Sequence, residues 1–268
     1  MNAQETITSR DNAKLKFARA VRDGREPGTI FVEGIRLVRE AFRSNIVIEQ
    51  MLVSADIYDT EKFPELRDLS ARRGLTVTKV APILFPSISD TESPQGVIAL
   101  ARRPEFSLAA LGRRAGKGPV IFLHKVNNPS NLGAVVRTAE ASDARAVIIS
   151  KGSSDCFSPK AIRASMGSCL RLALIEGMAL NDAITWAKAN GYIATAADTG
   201  ASSSYVEIDW SLPRLLVLGS EAHGLSEDEL SQIEEIVRIP MANGVESLNL
   251  AVSAGIIMFE ANRQIERR

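Results

Sequence analysis

The chain has 268 residues, of which 45% are hydrophobic and 24% charged, and its mean hydropathy of +0.01 is that of an ordinary globular protein. Lysine plus arginine and aspartate plus glutamate both number 32, so the net charge gives no general attraction to nucleic acids or membranes. No apolar run reaches about 18 residues and the N-terminus lacks a signal-peptide core, which predicts a cytoplasmic protein without a membrane partner.

Cysteine and histidine are too few for a metal centre of a familiar kind. Cys156 and Cys169 match no metal-ligand spacing and cannot form a disulfide framework. His124 and His223 are the only histidines, which disfavours a zinc site. We therefore predict no metal.

Residues 1–103 predict a small α/β domain. A helix near Asn12 to Arg22 precedes the strand TIFVEG and the helix IRLVREAFRS, and the β-rich runs IEQMLVS, GLTVTKV and QGVIALAR follow. The first 25 residues carry six basic side chains, which either hold phosphate or form a solvated helix face, and charge alone does not separate these interpretations. They are Arg10, Lys14, Lys16, Arg19, Arg22 and Arg25.

Residues 104–118 are basic and glycine-rich and predict a linker with a short helical turn, SLAALGRR. From residue 119 to residue 268, long apolar runs alternate with helical patterns: PVIFLHKV, ARAVIIS, YIATAAD, LLVLGS and IVRIPM. Such runs are typical of parallel strands buried on both faces, so this half predicts a parallel sheet covered by helices. Ligands of such sheets bind outside the carboxyl ends of the strands.

Three loops follow these strands. In NPSNLGAVVR, Ser130 or Asn131 can cap a helix, and Arg137 lies nearly two turns after Asn131, which we expect to bring the two to neighbouring faces. The plain alternative is a capped helix with one surface arginine.

The second loop, LGSEAHGLSEDEL, matches no phosphate-binding glycine motif, and its Glu221 would repel phosphate. Gly219 favours recognition of a neutral or cationic ligand through the main chain, and Glu221 is expected to clamp a neighbouring loop or helix start. The third segment, IPMANGVESLNLAVSAGIIMFEANR, predicts a strand ending at Pro240 and a long, buried helix with Ser247 and Asn249 in its first turn.

The three ordered segments resemble the SpoU family of RNA ribose 2′-O-methyltransferases, within the SPOUT class. The matching stretches are NLGAVVR at 131–137, LGSEAHGL at 218–225, and IPM at 239–241 with SLN at 247–249, with ASMGS at 164–168 as a further likeness. FVEGIRLVREA resembles the substrate-binding domain often fused to this family, itself similar to a ribosomal protein that binds RNA. Family members commonly have Asp-Pro where this chain has Asn128-Pro129.

The resemblance implies an RNA substrate-binding domain at 1–103, a linker at 104–118 and a SPOUT catalytic domain with a deep trefoil knot at 119–268. It implies a homodimer that binds S-adenosylmethionine. Gly219, Ile239 and Leu248 would contact the cofactor, with support from Ser247 and Asn249. Arg137, Asn131 and Glu221 would form the catalytic group.

Methyl transfer to a ribose hydroxyl requires alignment and loss of a proton. The resemblance assigns Arg137 as general base or as its organiser. Because a guanidinium is a poor proton acceptor, we favour an Arg137 that grips the adjacent phosphate and stabilises developing alkoxide charge.

Ribosomal RNA, 23S in particular, is the favoured substrate, because domains like 1–103 are more frequent in ribosomal RNA enzymes. A transfer RNA ribose methyltransferase and a non-catalytic RNA-binding adaptor are the alternatives. A nicotinamide-dependent Rossmann enzyme is disfavoured, because the glycine fingerprint and its acidic ribose ligand are missing from the sequence. Base N-methylation belongs to subfamilies with other motifs.

Overall fold

The computed structural model describes residues 6–61, 63–113 and 117–267. These residues form two compact units. The first contains the described residues up to Pro104 together with Phe157–Arg171, and the second contains Glu105–Cys156 and Leu172 onward. In the described part of the chain, no helix combines the length and hydrophobicity that a membrane span requires.

The first unit is built on a four-stranded sheet with the order β1-β4-β2-β3. β4 pairs antiparallel with β1 and β2, and β2 pairs parallel with β3. The strands are β1 (Thr29–Glu33), β2 (Ile48–Ser54), β3 (Val77–Val80) and β4 (Val97–Arg102). The helices are α1 (Ala13–Arg22), α2 (Ile35–Arg43), α3 (Ala55–Tyr58) and α4 (Pro64–Arg72), with a 3-10 helix at Pro82–Ser87. The predicted α/β pattern of this region is confirmed, and α3, α4 and the 3-10 helix are additions to it.

The basic side chains near the N-terminus are largely engaged within the first unit. Arg22 bonds Asp23 and the carbonyls of Ser87 and Ser89, and Arg25 pairs with Asp23. Arg19 donates to the carbonyl of Arg10, Lys14 to Thr78, and Lys16 pairs with Asp11. These contacts favour a structural role for the stripe over a free phosphate-binding surface.

The segment Phe157–Arg171 interrupts the predicted catalytic domain at 119–268, because its contacts belong to the first unit. Arg163 lies 2.5 Å from a carboxylate oxygen of Asp90, and Arg171 lies 2.6 Å from one of Glu40. Gly167 has φ +88°, and a Cβ there would lie 2.9 Å from Cβ of Glu40. The glycine of ASMGS therefore serves close packing against α2, and the boundary between the units is not a single point in the sequence.

The second unit contains a seven-stranded parallel sheet with the order β7-β6-β5-β10-β8-β11-β9. Its strands are β5 (Val120–Leu123), β6 (Ala146–Ser150), β7 (Leu174–Met178), β8 (Ile193–Ala197), β9 (Ser203–Ser204), β10 (Arg214–Leu218) and β11 (Glu235–Arg238). Its α-helices are α5 (Pro129–Ala141), α7 (Leu180–Ala189), α8 (Glu227–Leu230) and α9 (Leu250–Glu266); α6 (Pro159–Ser165) and a 3-10 helix at Ser168–Leu170 belong to the first unit. The predicted parallel sheet is confirmed.

The central strands of this sheet are buried on both faces. Every residue of β5, β6 and β10 is buried, and the core includes Val120, Phe122, Ile148 and Val217. The predicted linker contains a 3-10 helix at Leu108–Arg113, and residues 114–116 of the predicted linker lie outside the described residues. Because β5, β8, β10 and β11 are parallel, the loops that follow them meet at one edge of the sheet.

Three local predictions are wrong in detail. α5 begins at Pro129, so its cap is Asn128 rather than Ser130 or Asn131, and the Asn128 side chain accepts from Ser130 N at 2.9 Å. An amide oxygen thus fills the capping role at this Asn-Pro turn. β11 ends at Arg238, two residues before Pro240. α9 begins at Leu250, with Asn249 as its cap and Ser247 in the preceding loop.

A candidate cofactor cavity at the carboxyl edge of the sheet

A cavity of about 490 Å³ lies where the loops after β8, β10 and β11 meet the starts of α5 and α9. This volume is in the usual range for a small-molecule site. The predicted residues in its wall are Asn131, Gly219, Glu221, Ile239, Ser247, Leu248 and Asn249. Segments more than a hundred positions apart therefore converge, as the sequence predicted.

Hydrogen bonds join the three segments. Asn249 donates through Nδ2 to Oδ1 of Asn131 at 3.2 Å, and Asn131 donates through Nδ2 to Oε1 of Glu221 at 3.2 Å. Asn249 also accepts from Ala251 N at 2.9 Å, which caps α9. The expected role of Glu221 as a clamp on a neighbouring helix start is confirmed by its bond to Asn131 in the first turn of α5.

The loop between residues 219 and 224, the 219–224 loop, is a tight turn. Ser220 N donates to the carbonyl of Gly224 at 3.2 Å and Gly224 N donates back at 3.0 Å. A Cβ on Gly219 would lie 2.4 Å from the carbonyl carbon of Gly224. Gly219 is therefore required by the close approach of two backbone segments, and this approach shapes the wall of the cavity.

The segment that leads from β5 into α5 is held by three serine hydroxyls, which lie at the end of β6 and in the turn after it. The bonds join Lys125 N to Ser150 Oγ (2.7 Å), Val126 N to Ser153 Oγ (3.1 Å) and Ser154 Oγ to the carbonyl of Asn127 (2.5 Å). Lys125 has φ 51°, in the left-handed region. These side chains bind main-chain groups that no strand or helix satisfies, so they fix the direction in which α5 leaves β5.

The charge of the cavity wall is negative. Asp198 and Glu221 contribute carboxylates, and among the described residues that line the cavity there is neither lysine nor arginine. Asp198 is not among the residues that the sequence predicted. It follows β8 directly, its main-chain N–H bonds the carbonyl of Val237 at 2.9 Å, and its Oδ1 accepts from Gly200 N at 2.8 Å. Such a wall disfavours phosphate and suits a cation.

Arg137 does not lie in the wall of the cavity. At about 100° per residue, six positions turn Arg137 about 120° away from Asn131, so the expectation of neighbouring faces was wrong. Arg137 is exposed on α5, and within the described ranges its guanidinium has no hydrogen bond or ion pair. Its side chain is thus available to a ligand outside the cavity.

α9 is not buried all round, contrary to the sequence prediction. Ala254, Ile257, Met258 and Ala261 face the interior, and a Cβ added to Gly255 would lie 3.5 Å from Cγ2 of Thr138 in α5. On the other side Val252 is 50% and Phe259 51% exposed, and Leu248 in the preceding loop is 37% exposed. The second unit therefore presents an apolar surface along α9.

Among the described residues, one group of side chains has metal-ligand chemistry. Ligand atoms of Asp155, Cys156 and Glu176 lie within 4.8 Å of one another. The two carboxylates are exposed, and such groups are common without an ion. They lie outside the cavity wall and add nothing to the site.

A parallel sheet with a negatively charged, loop-built cavity at its carboxyl edge is the architecture of an α/β protein whose site suits a cationic small molecule. Residues 118–259 match the SpoU rRNA Methylase family, and residues 12–99 match the MRM3-like substrate binding domain. The chain belongs to the SpoU family and is an S-adenosylmethionine-dependent RNA 2′-O-methyltransferase.

Relatives and solved structures agree over nearly the whole chain. The 23S rRNA (guanosine(2553)-2′-O)-methyltransferase RlmP of Bacillus subtilis is 30% identical over 94% of this chain and 97% of its own. The 23S rRNA (uridine(2479)-2′-O)-methyltransferase of Streptomyces viridochromogenes is 28% identical over 98% and 93%. The AdoMet-bound rRNA methyltransferase of Sinorhizobium meliloti superimposes with a TM-score of 0.83 at 28% identity, over 97% of each chain.

Replacing Asn249 separates its two contacts. Asn249→Ala removes both the cap and the bond to Asn131, so we expect affinity for S-adenosylmethionine to fall about tenfold, near 1.4 kcal/mol. Asn249→Asp keeps an oxygen that accepts from Ala251 N, but it places a carboxylate oxygen against Oδ1 of Asn131, so the bond to Asn131 is lost. This variant should therefore bind S-adenosylmethionine no better than the alanine variant does. Calorimetry measures the affinity of each variant. Wild-type affinity in the aspartate variant would show that the bond between Asn249 and Asn131 does not contribute to cofactor binding.

Proposed function

We propose that this chain methylates the ribose 2′-hydroxyl of a nucleotide in 23S ribosomal RNA. The observation that carries the proposal is the hydrogen-bonded series Asn249–Asn131–Glu221, which joins the three segments around one cavity. The substrate class is supported by two relatives that are named for 23S ribosomal RNA and by the match of residues 12–99 to a substrate-binding domain. One of these relatives is named for a guanosine and the other for a uridine, so they do not identify the nucleotide that this chain modifies.

The cavity residues suit the cofactor. S-adenosylmethionine supplies a methyl group on a positively charged sulfonium. The carboxylates of Asp198 and Glu221 favour that charge, and Leu218, Ile239 and Leu248 offer apolar surface. We assign cofactor contact to Gly219, Ile239 and Leu248, with Ser247 and Asn249 in support.

The remaining site residues position the RNA and the hydroxyl that loses its proton. Asn131 and Glu221 hold the first turn of α5 against the 219–224 loop. We assign Arg137, exposed on the same helix, to the RNA phosphate beside the target ribose, where its charge places the hydroxyl and stabilises the developing alkoxide.

We further propose a homodimer and a knotted C-terminal segment. The exposed apolar residues Leu248, Val252 and Phe259 along α9 support an interface that a second copy covers. For the knot, the support is the strand order: β8 and β10 separate β11 from β5, yet α9, which follows β11, packs against α5, which follows β5. Light scattering of wild type and Phe259→Glu tests the dimer, which the charged variant should weaken.

The substrate is tested by transfer of labelled methyl groups from S-adenosylmethionine. Total RNA, 23S and 16S ribosomal RNA and transfer RNA are offered separately, and modified positions are mapped as bonds resistant to alkaline cleavage. We expect label in 23S RNA at a single ribose. Label confined to transfer RNA, or label on a base, contradicts the proposal, and cofactor binding without transfer to any RNA would favour a non-catalytic adaptor.

A further inference from the structure

The 219–224 loop continues directly into α8, and a capping box fixes that junction. Ser226 Oγ accepts from Glu229 N at 3.3 Å, and Glu229 Oε2 accepts from Ser226 N at 2.9 Å. One carboxylate oxygen of Glu229 is therefore used within α8. This leaves Oε1 to bind elsewhere.

Oε1 of Glu229 faces the end of β5. It lies 2.8 Å from Nε2 of His124 and 3.3 Å from Nζ of Lys125. Burial raises the pKa of Glu229, but the bond from Ser226 and the contacts with Lys125 and His124 outweigh it and lower that pKa to about 2. Glu229 is thus ionised at neutral pH and bridges α8 to β5, more than a hundred positions earlier in the chain.

His124 is built into the sheet at this point. Only 6% of the residue is exposed, its main-chain N–H bonds the carbonyl of Leu218 at 2.9 Å, and its ring stacks near Phe122 with centroids 6.2 Å apart. Its Nδ1 is buried with no partner among the described residues, and Nε2, although 2.8 Å from Oε1 of Glu229, does not meet that oxygen in hydrogen-bond geometry. Burial lowers the pKa of His124, Lys125 lowers it further, and Glu229 opposes both. The lowered pKa favours the neutral imidazole near pH 7, with its Nε2 edge facing Glu229.

The 219–224 loop and the helix α8 that follows it are consequently both held by one stretch of chain, residues 124–131. Glu221, within the 219–224 loop, is bonded to Asn131, and Glu229, just beyond the loop, contacts His124 and Lys125. We propose that His124 is a positioning residue that acts through Glu229 to hold the 219–224 loop in the shape that binds S-adenosylmethionine. This rests on the cofactor role proposed above for that loop. His124 lies outside the cavity wall, so it touches neither reactant.

Replacing His124 tests the proposal without removing any cavity residue. His124→Leu introduces an apolar side chain of similar size and removes the ring nitrogen that lies 2.8 Å from Glu229. We expect the Kd and KM for S-adenosylmethionine to rise about tenfold, near 1.4 kcal/mol, while kcat and the KM for RNA change by less than about twofold. His124→Gln should restore most of the affinity, because its amide N–H can reach the same carboxylate.

Two variants in α8 are the matched pair. Glu229→Gln should reproduce the weaker cofactor binding of His124→Leu. Glu227→Gln removes a charge two positions earlier, on an exposed side chain of the same helix, and should bind as wild type. Melting temperatures of all four variants separate loop positioning from general loss of stability.

The pH dependence of stability tests whether the ring of His124 is neutral in the folded chain. Because the folded pKa of His124 is lowered, the stabilisation from the neutral ring is complete above its ordinary value of 6.5 and is lost as the pH falls through the lowered value. Lys125 and Glu229 face His124, and Glu229, whose pKa is lowered to about 2, is ionised over the range from about pH 5 to 8 in which histidines titrate. The melting temperature of wild type should therefore fall on acidification within that range, and that of His124→Gln, which has no titrating ring, should fall less.

The outcomes are distinct. The positioning role is overturned if His124→Leu has the wild-type Kd and KM for S-adenosylmethionine. It is also overturned if kcat, affinity for RNA and melting temperature fall together with cofactor affinity. Either result leaves the proposed function intact. Failure of the wild-type chain to bind S-adenosylmethionine overturns the proposed cofactor role of the loop, and this inference with it. Weaker binding in His124→Leu and Glu229→Gln with rescue by glutamine supports it.

Discussion

Gly219→Ala should weaken binding of S-adenosylmethionine by at least about 100-fold, near 2.7 kcal/mol, because the added methyl group has no space. A Cβ at this position would lie 2.4, 2.6 and 2.8 Å from the carbonyl carbon, carbonyl oxygen and Cα of Gly224. All three are backbone atoms, so no side-chain rotation relieves the overlap. The reciprocal bonds between Ser220 and Gly224 must lengthen or break, and the cavity wall moves with them.

Gly255→Ala is the matched control in the same unit. A Cβ on Gly255 would lie 3.5 Å from Cγ2 of Thr138, which is an ordinary contact, and alanine within a helix is favoured over glycine by about 0.5–1 kcal/mol. Calorimetry should find normal cofactor affinity in this control, and differential scanning should find an unchanged or higher melting temperature. Gly219→Ala that binds within about twofold of wild type would show that the 219–224 loop does not shape the site.

Much of the cavity was predictable because strand and helix periodicity is a local signal. The runs that became β5, β8 and β10 are mostly apolar, and β11 has an apolar centre between Glu235 and Arg238, so their parallel arrangement and the common edge of their loops followed from the sequence. β7 was missed because it is an edge strand with exposed Glu176 and Gly177, and it lacks a continuous apolar run.

The unpredicted parts depend on contacts between distant positions. Asp198 is a single carboxylate after a strand, and without the fold nothing distinguishes it from a surface aspartate. His124 follows β5 and Glu229 lies in α8, after β10, so their contact depends on β5 and β10 being neighbours, which only the sheet shows. The exposure of Phe259 was missed because an all-apolar helix is ordinarily buried within its own chain, whereas one side of α9 is open to solvent.

Arg137→Lys should lower the rate of methyl transfer by at least about 100-fold, the loss typical of removing a group that stabilises developing negative charge. Lysine keeps the positive charge but not the planar pair of donors that grips a phosphate with two bonds. Because Arg137 is exposed and outside the cavity wall, the Kd for S-adenosylmethionine should stay within about twofold of wild type, which calorimetry measures. Single-turnover transfer to RNA measures the rate.

The position of Arg137 outside the cavity wall distinguishes an effect on RNA from an effect on the cofactor. An arginine inside the negatively charged cavity would change cofactor affinity when replaced, whereas an arginine that contacts only RNA leaves it unchanged. Arg267→Lys is the control. It is the same substitution at the C-cap of α9, the end of that helix remote from Asn249, and it should transfer methyl groups as wild type does. Near-normal transfer by Arg137→Lys would assign the positioning of the ribose to other side chains. A loss of cofactor affinity equal to the loss of rate would instead place Arg137 against the cofactor, where the folded chain does not put it.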